Sequence, residues 1–390
     1  MPFFDDAAYT ARRDAVSAAL APAHSAGLVV GTGPEFAYLT GSAMRSHERL
    51  TALVFAPGGG VLAVAPMTDV DTLRAEGALD GVELVGWRDG QDPYALVTEF
   101  LAGAADGGTA PSVEGASAAG GMAAVDIAPG LTADHTFALQ DRLGAAGLAT
   151  RLIDPEIGAC FSAKDPAEIA ELTKAGAAID RVHARVPELL APGRTEREVA
   201  ADLAELIHAE HQRADFIIVG SGPNGANPHH DYSDRVLETG DIVVVDIGGP
   251  LDSGYNSDCT RTYVVGGDPG AADPEALAAY EVLHRAQLAA VEAARPGMTA
   301  GELDAVARDI IAEAGYGEYF THRLGHGIGL AVHEAPFIIG GSEVVLREGM
   351  AFSIEPGIYI PGRFGMRIED IVVLTADGAV ALNSQPRDLR

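Results

Sequence analysis

The sequence predicts an α/β domain over residues 1–160, followed by an α+β domain over residues 161–390 that contains one unit twice. Helix-like and strand-like runs alternate before residue 160. A strong helix start then stands at Asp165, and a pattern of glycines and carboxylates recurs at matched places beyond it. The chain has 390 residues, long for one compact core and suited to two or three domains. Its 47% hydrophobic content excludes wholesale disorder despite a formal charge of -30, from 26 Lys plus Arg against 56 Asp plus Glu. So acidic a chain repels phosphate backbones and anionic lipid heads, which argues against nucleic acid and membrane surfaces as partners.

In the first domain a helical pattern over residues 9–24 leads into the strand Leu28-Val29-Val30. Residues 50–68 form a long uncharged stretch, but Pro57, Gly58, Gly59 and Gly60 at its centre make it a β-hairpin, not a membrane span. A helix near Thr72, a strand over 82–85, a helix over 92–101, a strand over 123–127 and a helix over 132–145 follow. The Gly/Ala/Ser-rich tract 103–121 lacks apolar periodicity and reads as a flexible surface loop. The chain begins with early acid at Asp5 and Asp6, in place of a basic region and apolar core, so no secretory signal is visible. Cys160 and Cys259 make no disulfide framework, and a reduced, cytoplasmic setting is expected.

Asp165-Pro166-Ala167-Glu168 supplies an N-cap, a first-turn proline and a capping-box glutamate. The helix it starts is expected to run to about Leu190 and stop at Pro192-Gly193. Beyond it the chain repeats. Pro192-Gly193 followed by Thr195 and Glu198 returns as Pro296-Gly297 followed by Thr299 and Glu302, a helix stop and then a capping box each time. Gly240 and Gly248 frame Asp246 as Gly349 and Gly357 frame Glu355, each carboxylate closing an apolar strand. Returning strands carry a second carboxylate, Asp258 in one copy and Glu369 in the other. A duplicated unit would set both pairs facing across a pseudo-twofold axis.

Converging carboxylates about 4 Å apart repel by about 4 kcal/mol at an effective dielectric near 20, so protons or cations must relieve them. Two divalent cations would balance four acids. His326, between Gly325 and Gly327, adds a nitrogen where the backbone can come close. The oxygen-rich set favours manganese or cobalt over thiolate-selected zinc. Two metals would share a water, lower its pKa toward neutrality and aim it as a nucleophile.

In order, Asp246, Asp258, His326, Glu355 and Glu369 resemble the five-ligand dinuclear site of the pita-bread metallopeptidases, the creatinase, aminopeptidase P and prolidase family. The resemblance covers about residues 165–375, and the upstream domain resembles the creatinase/prolidase N-terminal domain. It implies that Asp246 chelates one metal, that Asp258 and Glu369 bridge both, and that His326 and Glu355 hold the second. By the same resemblance His229 contacts substrate, His333 contacts the scissile carbonyl oxygen or stabilises the tetrahedral intermediate, and His322 is an active-site histidine of the prolidase and aminopeptidase P branches. Glu355 is the implied proton shuttle. Arg367, read as two residues from Glu369 on one strand and on its face, would orient a ligand carboxylate.

The activity implied is dinuclear-metal hydrolysis of Xaa-Pro bonds in short peptides by a cytoplasmic homodimer, prolidase preferred over aminopeptidase P. Hydrolysis of a small non-peptide, as in ectoine hydrolase-like or creatinase-like relatives, and a non-catalytic peptide binder are the alternatives. The metal pair is expected to be manganese, with cobalt or zinc as alternatives. His230 reads as an exposed neighbour, Cys259 as a packed thiol on the far face of its strand, and Phe216 and Tyr255 as either proline-pocket walls or core. Arg45 and His47 lie in a loop that either closes a site or is merely solvated. Gly220 to Gly225 fits a dinucleotide-binding spacing, but Pro223 and Pro228 oppose the helix that motif needs.

Overall fold

The computed structural model describes residues 2–46, 48–106 and 123–390, in two compact units, Met1–Phe161 and Ser162–Arg390. Most of the Gly/Ala/Ser tract, and His47, lie outside the described residues. The first four positions of the tract, read as loop, instead close a helix that ends at Asp106.

The first unit runs α1 (Asp6–Ala19), β1 (Ser25–Gly31), α2 (Pro34–Thr40), β2 (Ala52–Phe55), β3 (Val61–Pro66), α3 (Val70–Glu76), β4 (Glu83–Trp87), α4 (Pro93–Asp106), β5 (Ala124–Ile127), α5 (Ala133–Ala145), β6 (Ala149–Leu152) and α6 (Pro155–Ser162). Its sheet is ordered β4-β3-β2-β1-β5-β6, antiparallel only across β1–β2 and β2–β3, where the glycine hairpin turns the chain. Val29, Val54, Val64 and Val125 from the sheet pack with Val97, Leu139 and Leu143 from α4 and α5. The sequence reading missed α2, β6 and α6. The first has seven residues, too few for a helical period to stand out, and the second carries Ala149-Thr150-Arg151-Leu152, with little apolar signal.

The second unit opens on α7 (Pro166–His183), whose capping box forms as expected: Asp165 accepts from the Ala167 and Glu168 amides, and Glu168 accepts from the Asp165 amide. The helix ends at His183, not near Leu190, and a single turn, α8 (Val186–Leu189), follows. Pro187 is the reason, since it has no N–H to give the His183 carbonyl and its ring would clash there.

The remaining elements are α9 (Glu196–Glu210), β7 (Phe216–Ser221), β8 (Ile242–Pro250), β9 (Asn256–Val264), α10 (Pro274–Ala293), α11 (Ala300–Glu313), β10 (Gly325–Gly327), β11 (Glu334–Ile338), β12 (Ala351–Ile354), β13 (Gly357–Ile360), β14 (Phe364–Arg367), β15 (Asp370–Thr375) and β16 (Gly378–Ala381). They form an antiparallel β7-β8-β9 sheet, an antiparallel β11-β10-β12-β15-β16 sheet and a β13-β14 hairpin. A 3-10 turn over Gly222–Ala226 stands where a dinucleotide-binding helix would have to begin.

The internal repeat is visible bond by bond. The Gly193 amide donates to the Leu237 carbonyl at 2.9 Å and the Gly297 amide to the Leu346 carbonyl at 2.9 Å; the Leu237 and Leu346 amides return bonds to Arg194 and Met298, each at 2.7 Å. Thr195 bridges Val236 as Thr299 bridges Val345. The halves join through the Glu369 amide, which donates to the Thr260 carbonyl at 3.1 Å, and the Thr262 hydroxyl, which donates to the Arg367 carbonyl at 2.9 Å.

Candidate metal centre

Asp246 sits in β8 opposite Thr260, and Gly248 sits opposite Asp258. Side chains alternate along paired strands, so Asp246, Asp258 and Thr260 share one face. Cys259 takes the other and packs with Ile179, Val182 and Tyr263. His326 is the middle residue of β10. A Cβ on Gly325 would lie 1.9 Å from the Ser353 carbonyl oxygen, and one on Gly327 2.3 Å from that of Ala335, so only glycines let this strand approach so closely. Glu355 follows β12, and the Ser353 hydroxyl ties it to β10, accepting from the His326 amide at 2.9 Å and donating to Glu355 Oε1 at 3.0 Å.

Arg367 and Glu369 do not share a strand. Arg367 ends β14 and Asp370 begins β15, with Ile368 and Glu369 crossing from the hairpin to the larger sheet. Both nevertheless meet at Thr260, which donates to Glu369 Oε2 at 2.7 Å and accepts from Arg367 Nε at 3.0 Å. The common anchor therefore does what a common strand was expected to do.

Candidate ligand atoms gather in three overlapping groups, each with all atoms within 4.8 Å: Asp246, Asp258 and Glu369; His326, Glu355 and Glu369; and Asp258, His326 and His333. Burial, reinforced by the neighbouring carboxylates, pushes the Asp246, Asp258 and Glu369 carboxyls up. Burial acts on Glu355 too, but the hydrogen bond and charge of His326, with His322 and Arg367, take it down to about 2. His326 Nδ1 donates to the Gly327 carbonyl at 3.1 Å, so Nε2 turns its remaining valence on Glu355 Oε1 at 3.1 Å and Asp258 Oδ2 at 3.6 Å. That arrangement needs a proton or a cation between the groups. Asp246 Oδ1 is buried with no hydrogen-bond partner among the described residues. An orphaned carboxylate oxygen and a nitrogen facing carboxylates are what a cation site requires, and the donor set fits divalent ions.

Around this cluster runs a chain of polar contacts. Arg367 Nη2 pairs with Asp246 Oδ2, and its Nη1 donates to the Tyr359 hydroxyl at 2.8 Å. Tyr359, pushed up to about 12 by burial, stays a neutral phenol and donates to His322 Nε2 at 2.9 Å, while His322 Nδ1 donates to the Arg323 carbonyl at 2.7 Å. His333 stands edge-on to the His326 ring, centroids 4.2 Å apart. Desolvation, with His326 and Arg323, takes it down to about 4, so it is neutral at pH 7.

One cavity of about 620 Å³ gathers Asp246, Asp258, His326, Glu355 and Glu369 with His229, His322, His333 and Arg367, the positions expected to bind metal or act on substrate. Phe216, Ile218 and Ile339 give it apolar walls. Tyr255 is not among them; it is buried and donates to Glu168 Oε1 at 3.0 Å. His230 turns from the cavity and donates to Glu196 at 2.9 Å. Sequence reasoning missed Tyr359, Thr260 and Ser353. Thr260 could have been found, because two residues beyond Asp258 on a strand means the same face; Tyr359 leaves no such signal. Arg45 lines a separate pocket of about 280 Å³ in the first unit, with Glu48, Arg49 and Asp69.

A duplicated unit that brings acids and an imidazole from both halves into one cavity defines a pita-bread metallohydrolase. Residues 170–376 match metallopeptidase family M24, and residues 12–117 match the creatinase/prolidase N-terminal domain. The chain belongs to metallopeptidase family M24 and is a metallopeptidase, and that family implies divalent metal cofactors. It is similar to the crystal structure of dipeptidase PepE from Mycobacterium ulcerans, at 50% identity and a TM-score of 0.89 over 99% of this chain and 98% of that one. The prolidase structure from Thermococcus sibiricus shares 35% identity and a TM-score of 0.79 over 98% of each chain. The Xaa-Pro dipeptidase of Lactobacillus delbrueckii subsp. lactis is 38% identical over 356 residues, 90% of this chain and 91% of that protein. Among the described residues no helix is long and apolar enough to cross a membrane.

Proposed function

We propose that this metallopeptidase hydrolyses the Xaa-Pro bond of short peptides, dipeptides before longer ones, with two divalent ions held by Asp246, Asp258, His326, Glu355 and Glu369. The observation that carries the reading is the single cavity in which those five residues meet His229, His322, His333 and Arg367. Glu369 and Asp258 each fall in two of the three candidate groups, one beside Asp246 and one beside His326, which supports bridging roles for both. When bound, the ions would supply Lewis acidity toward the scissile carbonyl and toward water. The oxygen-rich set makes manganese the first choice.

The chain's own residues supply the rest. Arg367 holds Asp246 through a buried charged pair, and Thr260 fixes Glu369. Glu355 is ionised and can take up and hand on a proton. His333, neutral at working pH, and His229 can donate to a carbonyl oxygen as charge develops; loss of such a donor costs about 2.7 to 4 kcal/mol in the barrier. Phe216, Ile218 and Ile339 suit an apolar ring such as proline. Arg323 lines the same cavity and stacks on Phe337, its Cζ 4.6 Å from the ring centroid. Among the described residues no side-chain hydrogen bond or ion pair of Arg323 is found, so its charge is available to a dipeptide's free carboxylate. That favours a dipeptidase over an aminopeptidase P. Relatives named prolidase and Xaa-Pro dipeptidase support the same choice.

The test is a panel of Xaa-Pro dipeptides, Xaa-Pro-Xaa tripeptides and small amides, run with manganese and with chelator. Metal-dependent release of proline from dipeptides is expected. Turnover of tripeptides alone would point to aminopeptidase P, and turnover of small amides alone to a non-peptide hydrolase. Binding of the panel without turnover under any divalent ion would reject Xaa-Pro hydrolysis. A homodimer in the cytoplasm belongs to the same proposal, and sedimentation would measure the dimer.

A further inference from the structure

Glu196, the first residue of α9, is a fully buried carboxylate outside the metal cluster. Its two oxygens divide their work. Oε1 accepts from the Ser221 amide at 2.8 Å, the Ser221 hydroxyl at 2.6 Å and the Asn224 side-chain amide at 3.0 Å. Oε2 accepts from the Ser233 amide at 2.8 Å, the Ser233 hydroxyl at 2.7 Å and His230 Nε2 at 2.9 Å, and shares the Asn224 side-chain amide, 3.1 Å away. The start of the connection between β7 and β8 is thus fixed to one oxygen, and its middle, at His230 and Ser233, to the second. Between them lie Pro228 and His229, which line the cavity, and the Pro228 carbonyl reaches Arg367 Nη1 at 3.4 Å.

The internal repeat shows that the scaffold itself does not require an acid there. The Glu196 and Arg197 amides donate to the Arg235 and Ser233 carbonyls at 3.1 and 3.0 Å; in the other copy the Ala300 and Gly301 amides donate to the Val344 and Ser342 carbonyls at 2.8 and 3.0 Å. Position 196 is therefore matched by Ala300, which is as deeply buried and has no polar side chain. The backbone of the turn is built identically with and without the carboxylate. What differs is how the following connection is held: in the second copy the connection carrying His333 forms β11 and pairs with β10, whereas in the first the connection carrying His229 forms no strand.

We propose that Glu196 is the positioning residue for His229, clamping the segment from Ser221 to Ser233 so that the imidazole is held at the cavity. The inference rests on the reading above that His229 takes part in peptide turnover. Glu196→Gln keeps the size but turns amide hydrogens on donors; Ser233→Ala is the milder variant should the first not fold. With the metal-loaded enzyme, hydrogen exchange of amides 221–233 should speed up by about tenfold or more, while residues 328–333, the corresponding connection after β10, keep their rates. The kcat on an Xaa-Pro dipeptide should fall by about 10- to 100-fold, more than KM changes, and Glu196→Gln should cost nothing further once His229→Ala is in place. Exchange that rises uniformly or stays unchanged in 221–233, or losses of the two substitutions that multiply, would overturn the proposal. The exchange pattern decides the clamp even if the unaltered enzyme turns over no Xaa-Pro peptide, a result that would sink the Xaa-Pro reading alone.

Discussion

Two buried carboxylate sites in the second unit answer the same physical demand in different ways. Glu196 is surrounded by hydroxyl, amide and imidazole donors. Although burial pushes it up, bonds from Ser221, His230 and Ser233 take it down to about 2. Asp246, Asp258 and Glu369 face one another with too few donors, and burial and mutual repulsion push all three up. A buried charge supplied with donors is already satisfied; a buried cluster left short of them still needs protons or cations. The lesson is that the donor count, more than the number of acids, separates a clamp from a metal site.

The largest effect should come from striking the cluster. Glu369→Ala or Asp258→Ala should lower turnover by well over about a hundredfold, more than loss of an outer partner typically costs. Metal content measured with activity should fall too, while circular dichroism stays native. If either variant kept its activity and its ions, the contrast between the two sites would collapse.

Removing the ions tests the electrostatic half of the comparison. In chelator, the folded-state pKa values of Asp258 and Glu369 lie above their unfolded values of about 3.8 and 4.5. The native state then holds more protons than the unfolded chain, so its stability falls as pH rises from about 4 toward neutrality. Urea unfolding in chelator should show this, Asp258→Asn should lessen it, and added manganese should reverse it. Glu196 has the opposite sign. Its stabilisation is full above the unfolded value of 4.5 and is lost as pH falls toward 2. The difference between wild type and Glu196→Gln in the same titration isolates that effect from His230 and Arg235, which also face the carboxylate.

Tyr359→Phe sharpens the picture of the cluster's surroundings, since it cuts the link from Arg367 to His322 and spares Asp246. A loss of about tenfold in kcat/KM is expected. The smallest effect should come from Cys259→Ala: the thiol lies on the core face of β9, so metal content should not change.

Much of this was legible in the sequence because the repeat is written in residues with strong local meaning. Capping boxes at Thr195 and Thr299, with glycine-framed carboxylates at Asp246 and Glu355, mark the repeated unit along the chain. What failed did so for local reasons. The helix after Asp165 ended early because Pro187 interrupts it, and Arg367 and Glu369 were assigned one strand because alternating residues look the same across a crossing between sheets. Glu196 looked like any first-turn acid, although its function lies in partners from Ser221 to Ser233.

Which side chains could bind cations, and which segments would carry them, is written in residue type, periodicity and capping, because these are properties of short stretches of chain. That Thr260 serves both Arg367 and Glu369, that Tyr359 stands between Arg367 and His322, and that the acid at the start of α9 gathers partners from Ser221 to Ser233 follow from packing. Those facts depend on distances between residues far apart along the chain, and such distances come into being only when the two halves pack.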